Sequence, residues 1–201
     1  MIEIEVKLPV YRRSEVERDL RRLGFVPGDL VRESDIYYTS DFHDFMKKDE
    51  ALRIRTSDNL TRGTFSSFLT FKGPKIDDRS MTRKELETKI EDPDIGREIL
   101  KSLNYREVMP VIKLRQYYDR FIPEGTDPDL PEGYAIHACV DQVKNLGSFL
   151  ELEILAGDER DRSRGLKKIE AILHDLGYSM GNTTRYSYLW MLMSNTDGVP
   201  R

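Results

Sequence analysis

The sequence contains few of the residues that signal a disulfide framework, a zinc site or a membrane span. Cys139 is the single cysteine among 201 residues, which excludes an intrachain disulfide and a metal cluster built on cysteines and fits a reducing compartment. The three histidines are scattered without metal-binding spacing. No segment approaches the roughly 18 uninterrupted apolar residues of a membrane span, and residues 1–8 lack the basic and apolar regions of a signal peptide. The sequence therefore predicts a cytoplasmic protein that does not cross a membrane.

The chain also lacks an excess of positive charge and two familiar catalytic loops. Its formal net charge is −4 at pH 7, so no general basic field favours nucleic acid as a partner. A Gly-x-x-x-x-Gly-Lys-Ser/Thr loop is absent, so any phosphates would be bound by side chains rather than by a P-loop. A Gly-x-Ser-x-Gly element is absent as well, which leaves acyl transfer without support.

Charged and aliphatic residues alternate along most of the segments that resemble β-strands. The first segment carries Glu3, Glu5 and Lys7 at alternate positions, with aliphatic residues between them. The same alternation recurs at Arg53 and Arg55, at Lys113 and Arg115, and at Glu151 and Glu153. Because alternate residues of a strand share one face, each strand has one charged and one aliphatic face. We predict a closed sheet whose aliphatic side packs against outer helices and whose charged side lines an interior channel.

Turn residues and hydrophobic periodicity divide the chain into strands and helices without a clear linker, so we predict one domain over residues 1–201. The predicted strands are 2–9, 30–39, 51–57, 64–72, 81–90, 107–120, 134–142 and 148–156. The predicted helices are 14–23, 93–103 and 158–176, followed by an aromatic tail, 184–193, that forms a last strand or helix. Residues 40–50 and the insertion 122–133 are predicted to be loops.

Local signals predict how two of the helices begin and which face one of them buries. Ser14, with Glu17 three residues later, has the spacing of a capping box. Asp92-Pro93 combines a favoured N-cap residue with a favoured first helical residue. The buried stripe of the second helix is predicted to consist of Ile95, Ile99 and Leu103.

Three pairs of glutamates, each two residues apart on a predicted strand, are candidate metal ligands. The pairs are Glu3 and Glu5, Glu85 and Glu87, and Glu151 and Glu153. Two such residues lie roughly 6.5–7 Å apart at the backbone, so their carboxylates can converge on one cation. Oxygen ligands with few histidines favour Mg²⁺ or Mn²⁺ over zinc. A single pair of glutamates would be typical of a solvent-exposed polar face. Three such pairs, each on a strand with aliphatic residues at the alternate positions, favour a metal-binding site.

Seven basic residues fall on the charged face of their predicted strands. They are Lys7, Arg53, Arg55, Lys72, Arg83, Lys113 and Arg115. Cross-strand ion pairs explain some of these positions. Each buried ion loses several kcal/mol of hydration free energy, however, and an opposite charge is needed to offset that loss. A polyanion held between these bases and metal-bearing carboxylates would offset that loss, and arginine matches phosphate oxygens well. We therefore expect Arg55→Ala to weaken binding of a triphosphate with little loss of stability.

Other polar candidates are weaker. His137 lies on the same face of its predicted strand as Asp141, so a role in the interior channel is an alternative to a position on the protein surface. Cys139 has the same parity, but a lone thiol is more often a small packing residue. His174 is predicted to lie on the surface of a helix.

Several of these motifs, taken together, resemble one known family. Glu3-Ile4-Glu5-Val6-Lys7 is similar to the Glu-x-Glu-x-Lys signature of the CYTH superfamily, the triphosphate tunnel metalloenzymes. The resemblance continues through Asp35-x-Tyr37-Tyr38, Ala51-Leu52-Arg53-Ile54-Arg55, Thr70-Phe71-Lys72-Gly73-Pro74, Arg83-x-Glu85-x-Glu87, Lys113-x-Arg115, Asp141-x-Val143 and Glu151-Leu152-Glu153. It implies an α+β fold with an eight-stranded antiparallel tunnel, a divalent metal and a triphosphate substrate.

The resemblance also implies roles for particular residues. The expected metal ligands, for Mg²⁺ or Mn²⁺, are Glu3, Glu5, Glu85, Glu87, Asp141, Glu151 and Glu153, and the expected catalytic residues are Glu5, Glu153 and Lys7. The seven bases named above are the expected substrate-binding residues. A homodimer is compatible with these expectations.

The reaction is left open between three alternatives. Within the family, the set of motifs resembles the class IV adenylyl cyclase and archaeal cyclase-like branch, which predicts conversion of ATP to cyclic AMP and pyrophosphate. The second alternative is hydrolysis of inorganic triphosphate, a nucleoside triphosphate or thiamine triphosphate. The third is a non-catalytic module that binds a triphosphate. No adenine-binding motif is recognisable in the sequence.

Overall fold

The computed structural model describes residues 2–76, 80–128, 133–156 and 159–196. In these ranges the strands are β1 (Ile2–Val10), β2 (Val26–Thr39), β3 (Ala51–Asn59), β4 (Thr64–Lys75), β5 (Arg83–Ile90), β6 (Arg106–Ile122), β7 (Tyr134–Val143) and β8 (Gly147–Ala156). The α-helices are α1 (Arg13–Arg22), α2 (Pro93–Ser102), α3 (Glu159–Asp175) and α4 (Tyr188–Thr196). The predicted strands and the α+β class are therefore confirmed, and the aromatic tail forms a helix.

The strands form one antiparallel, curled sheet in the order β1-β8-β7-β6-β2-β3-β4-β5. The predicted closed tunnel is closed only in part, because no ladder joins β1 to β5 among the described residues. Two other segments bond to the free edge of β1 instead. The Met81 amide donates to the Glu5 carbonyl at 2.8 Å, and the Thr184 amide donates to the Lys7 carbonyl at 2.7 Å. The seam of the sheet is thus bridged by loop and tail segments.

The sheet is built from two halves with the same order of elements. β1-α1-β2-β3-β4 is followed by β5-α2-β6-β7-β8. If each strand of the first half is exchanged with its counterpart in the second, the sheet has the same strand order read from the opposite edge. The two halves meet between β2 and β6, where Glu33 is the cross-strand partner of Lys113.

The convex face of the sheet near β1, β7 and β8 packs against α1 and α3. Leu20 of α1 and Ile169 and Leu173 of α3 are fully buried there with the aliphatic residues of the strands. The fit is close at Gly165, where a Cβ atom would lie only 2.5 Å from Ile4 Cδ1. The aliphatic faces therefore point outward against helices, as the alternation predicts.

The predicted buried stripe of α2 is wrong. Ile95, Ile99 and Leu103 are each more than half exposed, whereas Leu100 is buried in the core under this helix. A Cβ atom at Gly96 would lie 3.1–3.2 Å from side chains of the sheet, so the helix meets the sheet through its glycine. Gly96 lets α2 approach the sheet closely, so the helix is rotated about its axis relative to the predicted orientation. The spacing of apolar residues does not reveal this orientation, because glycine is not counted in it.

Other local predictions had mixed outcomes. The capping box is wrong, because Ser14 lies inside α1 and the N-cap residue Arg12 makes no side-chain cap. The second helix starts as predicted, since the Asp92 carboxylate accepts hydrogen bonds from two amides of the first turn. β4 runs three residues further than predicted, with a shift in register between Lys72 and Lys75. No helix in the described ranges is long and apolar enough to span a membrane.

Candidate active site

The concave face of the sheet encloses a cavity of about 770 Å³. This volume lies within the roughly 300–1,000 Å³ typical of small-molecule sites. Among the described residues, nine basic and eight acidic side chains line it. The cavity therefore offers many charges of both signs rather than a purely basic surface.

The structure brings most of the predicted site residues together in this cavity. All seven predicted bases line it, namely Lys7, Arg53, Arg55, Lys72, Arg83, Lys113 and Arg115. Five of the predicted metal ligands line it as well, namely Glu5, Glu85, Glu87, Glu151 and Glu153. Glu3 lies on β1, but its side chain is outside the described part of the structure. The remaining predicted ligand, Asp141, has a different position.

Asp141 is completely buried and is not among the described residues that line the cavity, and its role as a metal ligand stays a prediction. Arg115 donates to both of its oxygens, from Nε at 2.7 Å and from Nη2 at 2.6 Å. The Tyr188 hydroxyl donates to Oδ2 at 3.0 Å, and Lys113 Nζ lies 3.6 Å away. Both oxygens are thus occupied by side chains of the protein. These contacts fix Arg115 and Tyr188 at the cavity wall.

Asp35 has the corresponding position in the other half of the sheet. Arg55 donates to it from Nε at 2.6 Å and from Nη2 at 2.7 Å, and Arg53 donates from Nη1 at 3.2 Å. Burial alone would raise the pKa of Asp35, but the charges of Arg55 and Arg53 outweigh this and lower it. Asp35 is therefore charged and fixes two guanidinium groups at the cavity wall.

Glu33 joins the two halves at the centre of the sheet. One of its oxygens lies 3.1 Å from Lys113 Nζ and 3.2 Å from Arg55 Nη1, and the Tyr117 hydroxyl donates to the other at 3.1 Å. Burial would raise the pKa of Glu33, but Lys113 and Arg55 lower it to about 2. Glu33 is not among the residues predicted from the sequence, although Glu33 and Asp35 alternate in the same way as the predicted site residues.

β1 and β8 contribute a second group of charges, which lies at the cavity surface. Lys7 Nζ is 3.2 Å from a Glu151 oxygen and 3.9 Å from a Glu5 oxygen. Burial would lower the pKa of Lys7, but the Glu151 charge outweighs this and raises it. Burial would likewise raise the pKa of Glu151, and the charges of Arg115 and Lys7 lower it well below its usual value. Lys7 is therefore protonated and Glu151 ionised at neutral pH.

Glu5 and Glu153 are direct cross-strand partners on β1 and β8. Like charges at opposed positions of an antiparallel pair are destabilising, since their Cβ atoms are only about 4.5–5.5 Å apart. A hard divalent cation between them would relieve the repulsion, and their oxygens are the donors that Mg²⁺ and Mn²⁺ prefer. In the described ranges no three acidic, histidine or cysteine side chains are grouped closely enough to hold a metal by themselves. The site fits a cation such as Mg²⁺, which commonly takes one or two carboxylates and completes its shell with phosphate oxygens and water.

The carboxylates of β5 have partners on the neighbouring strand. Glu85 forms an ion pair with Lys72, and the Thr70 hydroxyl donates to Glu87 at 2.8 Å. Arg53 also approaches Glu87, at 4.0 Å. Burial and the nearby charge of Arg53 lower the pKa of Lys72. On this wall of the cavity, each carboxylate of β5 thus faces a base or a hydroxyl of β4.

The loop at residues 40–50 closes one side of the cavity through Asp49. Its carboxylate pairs with Lys75 and accepts the Lys75 amide at 2.9 Å, and its carbonyl accepts from Arg83 Nη1 at 3.3 Å. Asp49 adopts a positive φ of 54°, which aspartate tolerates better than most residues. The loop is thus tied to β4 and β5, and Lys75 becomes a cavity residue that the sequence analysis did not single out.

The tail contributes a further wall that the sequence analysis did not predict. Residues 185–190 line the cavity, including Arg185, Tyr186, Tyr188 and Trp190. The buried Tyr188 ring lies under the Lys7 ammonium, with 4.2 Å from Nζ to the ring centroid, in addition to its hydrogen bond to Asp141. The aromatic composition of the tail predicts packing, but its packing onto the charged face depends on the tertiary fold.

The weaker candidates are also located. His137 lines the cavity and its Nδ1 lies 2.6 Å from an Asp119 oxygen. Cys139 is buried, and burial raises the pKa of its thiol, which disfavours a nucleophilic role. His174 is exposed, as predicted.

Similar proteins match nearly the whole chain. A family model described as CYTH domain matches residues 1–188. The Methanocaldococcus jannaschii protein named "Putative adenylate cyclase MJ0240" is 39% identical over 189 residues, which cover 94% of this chain and 97% of that protein. The structure of the PH1819 protein from Pyrococcus horikoshii OT3 has a TM-score of 0.81 at 34% identity, covering 96% of this chain and 99% of that one. A Hippeastrum structure, of a protein bearing the adenylyl cyclase name HpAC1 and said to reveal a dominant triphosphatase activity, has a TM-score of 0.63 at 18% identity and covers 100% and 97%.

Proposed function

Because this chain belongs to the CYTH domain family, we propose that it is an enzyme that acts on a triphosphate-containing substrate together with a divalent cation. The observation that carries the proposal is the charge of the cavity. The described lining has nine bases against eight acids, with Glu5 opposite Glu153. A highly charged triphosphate alone would leave the cavity strongly negative, whereas an accompanying divalent cation would cancel two of those negative charges.

The bases would bind the phosphates in an arrangement that is already organised. Asp35 orients Arg55 and Arg53, and Asp141 orients Arg115, through hydrogen bonds of 2.6–3.2 Å. Holding charged groups in place before the substrate arrives reduces the reorganisation that binding and reaction require. Lys7 is held protonated and would donate to a phosphate oxygen rather than accept a proton.

Glu5 and Glu153 are the proposed holders of the cation, which we propose to be Mg²⁺ or Mn²⁺. When bound, such a cation neutralises phosphate oxygens and stabilises charge that develops during phosphoryl or nucleotidyl transfer. Glu85, Glu87 and Glu151 remain candidates for contacts to the same complex, although Glu85 and Glu151 already have basic partners. The charge balance also argues against a simple triphosphate receptor, which would gain from fewer carboxylates.

Our first candidate reaction is the cyclisation of ATP, in which the ribose 3′-oxygen attacks the α-phosphorus and pyrophosphate leaves. The proposal is supported by the 39% identical relative that is named an adenylate cyclase. Hydrolysis of a triphosphate is the second candidate. The phosphate-binding residues described above would serve either reaction, and the fold is shared with the Hippeastrum protein said to have a dominant triphosphatase activity.

Incubation with ATP and with tripolyphosphate, each with Mg²⁺ or Mn²⁺, tests the proposal when the products are identified. Cyclic AMP and pyrophosphate from ATP would support cyclisation. Orthophosphate from both substrates without a cyclic nucleotide would reject cyclisation and support hydrolysis. Calorimetric binding of both triphosphates without any turnover would reject the enzyme and leave a binding module. Equal affinities for orthophosphate and tripolyphosphate would overturn the triphosphate assignment itself.

A further inference from the structure

Two aromatic side chains at the cavity have no role in the site as described so far. The rings of Tyr186 and Trp190 are stacked, with centroids 3.9 Å apart and planes at 13°. Both residues line the cavity, yet they are 54% and 39% exposed. Exposed aromatic surface is unfavourable in water, so a flat ligand that covered it would gain free energy. The pair therefore offers an open aromatic face in the same cavity as the bases proposed to bind phosphate.

The position of this pair is set by bonds to the residues that line the charged part of the cavity. The Thr184 amide donates to the backbone carbonyl of Lys7 at 2.7 Å, and the Tyr188 hydroxyl donates to Asp141 at 3.0 Å. The Trp190 amide donates to Ser187 Oγ at 3.1 Å, at the start of α4. These contacts lie on both sides of Tyr186 in the chain. The aromatic pair is thus held at a defined distance from Lys7 and Asp141.

We propose that Tyr186 and Trp190 form a stacking surface for the planar base of a nucleoside triphosphate whose phosphates occupy the basic part of the cavity. This inference rests on the proposed function and names the substrate class within it. Aromatic side chains bind bases by stacking without a recognisable sequence motif, since every base has a flat π-face. The absence of an adenine-binding motif in the sequence is therefore compatible with base recognition at this surface.

A second exposed aromatic pair serves as a comparison within the same chain. Phe42 and Tyr105 meet edge to face, with centroids 5.3 Å apart and planes at 72°. Phe42 is 65% exposed, and neither residue is among those that line the cavity. Phe42→Ala is therefore a matched control, because it removes one ring of an exposed pair away from the bases.

Fluorescence tests the proposal directly, because Trp190 is the single tryptophan of the chain. With Mg²⁺ present, α,β-methylene-ATP, which cannot be cyclised, is expected to change the Trp190 emission in a saturable way. Tripolyphosphate is expected to bind with little change, because it has no base to stack. Equal changes with both ligands, or none with the ATP analogue, would overturn the proposal. Thiamine triphosphate changing the emission while the ATP analogue does not would overturn the assignment to a nucleobase.

Calorimetry with substitutions separates this inference from the proposed function. Trp190→Ala and Tyr186→Ala are each expected to weaken binding of α,β-methylene-ATP about 10-fold or more, and to leave tripolyphosphate affinity within about 2-fold. Phe42→Ala should change neither affinity. If the wild-type protein binds tripolyphosphate and both substitutions leave the affinity for the ATP analogue unchanged, the stacking surface is rejected while the proposed function stands. If wild-type protein binds neither ligand, both are rejected.

Discussion

The two halves of the sheet repeat one order of elements, yet the convex face is covered very differently near β1, β7 and β8 than near β3 and β4. The convex face near β1, β7 and β8 is covered by α1 and α3, and its core contains 18 buried residues in the described part of the chain. The convex face near β3 and β4 is covered by α2, and its core contains three buried residues in the same described part. Ile95 and Ile99 of α2 and its C-cap residue Leu103 remain exposed there. We infer that most of the hydrophobic stabilisation of the fold lies on the side of α3.

The inner faces of the two halves are much more alike. Asp35 is the cross-strand partner of Arg55 between β2 and β3, and Asp141 is the partner of Arg115 between β6 and β7. Each acid is buried and also contacts a second base two residues away from the first. The repeat has therefore kept the charge geometry of the cavity while its outer surface differs, which is expected when the cavity is the functional part.

The first prediction compares the opposed carboxylates of β1 and β8 with the carboxylates of β5. Glu153→Gln is expected to lower turnover of the triphosphate substrate by about 10²-fold or more, since it removes charge from the opposed Glu5–Glu153 pair. Glu87→Gln should cause a smaller loss, because Glu87 is bonded to Thr70 on its own wall. Steady-state kinetics with Mg²⁺ measure both effects.

Binding measurements give the control for this comparison. Without a divalent cation, the affinity of Glu153→Gln for tripolyphosphate should equal or exceed that of the wild-type protein, because one negative charge has been removed from the cavity. Similar turnover in the two variants would show that the β1–β8 pair is not special.

The second prediction compares the buried acids. Asp141→Asn removes one of the carboxylates that neutralise Arg115 and Lys113, which keep Glu151 and Glu33 as partners, and breaking a buried pair in this way costs up to about 3–5 kcal/mol. Asp35→Asn should have an effect of similar size, because Asp35 holds Arg55 and Arg53 in the same manner. Urea unfolding measures both free energies. If the loss were below about 1 kcal/mol in one variant only, which is the usual range for surface ion pairs, the two halves would not be equivalent.

The third prediction concerns pH and the residue that joins the halves. The pKa of Glu33 is lowered in the folded protein from 4.5 to about 2, so its charged form stabilises the fold. This contribution, on the order of 3 kcal/mol, is present above pH 4.5 and is lost as the pH falls toward 2. Glu33→Gln should therefore flatten the acid dependence of the free energy of unfolding. Glu98→Gln, at an exposed site on α2, should leave the wild-type pH profile unchanged.

The fourth and smallest effect concerns the outer faces. Ile169→Val removes a methylene group from a fully buried site on α3 and should destabilise the protein by about 0.5–1.5 kcal/mol. Ile99→Val makes the same change at a site on α2 that is 55% exposed, and should stay within about 0.5 kcal/mol of the wild type. Equal losses in thermal unfolding would indicate that a partner covers α2 in solution.

The expectation for Arg55→Ala is revised by the structure. The sequence predicts that this change relieves repulsion among bases at little cost in stability. In the structure, Arg55 contacts Asp35 and Glu33, which are both buried. Its removal would leave two buried carboxylates with fewer partners and would destabilise the fold. Alternation along single strands shows which residues share a face, but it does not show which opposite charges meet across strands.

The sequence by itself determined the strands, the face on which each charge lies, and hence the charged concave surface with its seven predicted bases. These features follow from a two-residue period that every strand must obey. Only the tertiary structure decided that Asp141 pairs with Arg115 and does not line the cavity, that α2 meets the sheet through Gly96, and that Tyr186 and Trp190 line the same cavity as the bases. These features depend on distances between segments far apart in the chain. Such distances are set by strand register and close packing, which no local pattern in one sequence contains.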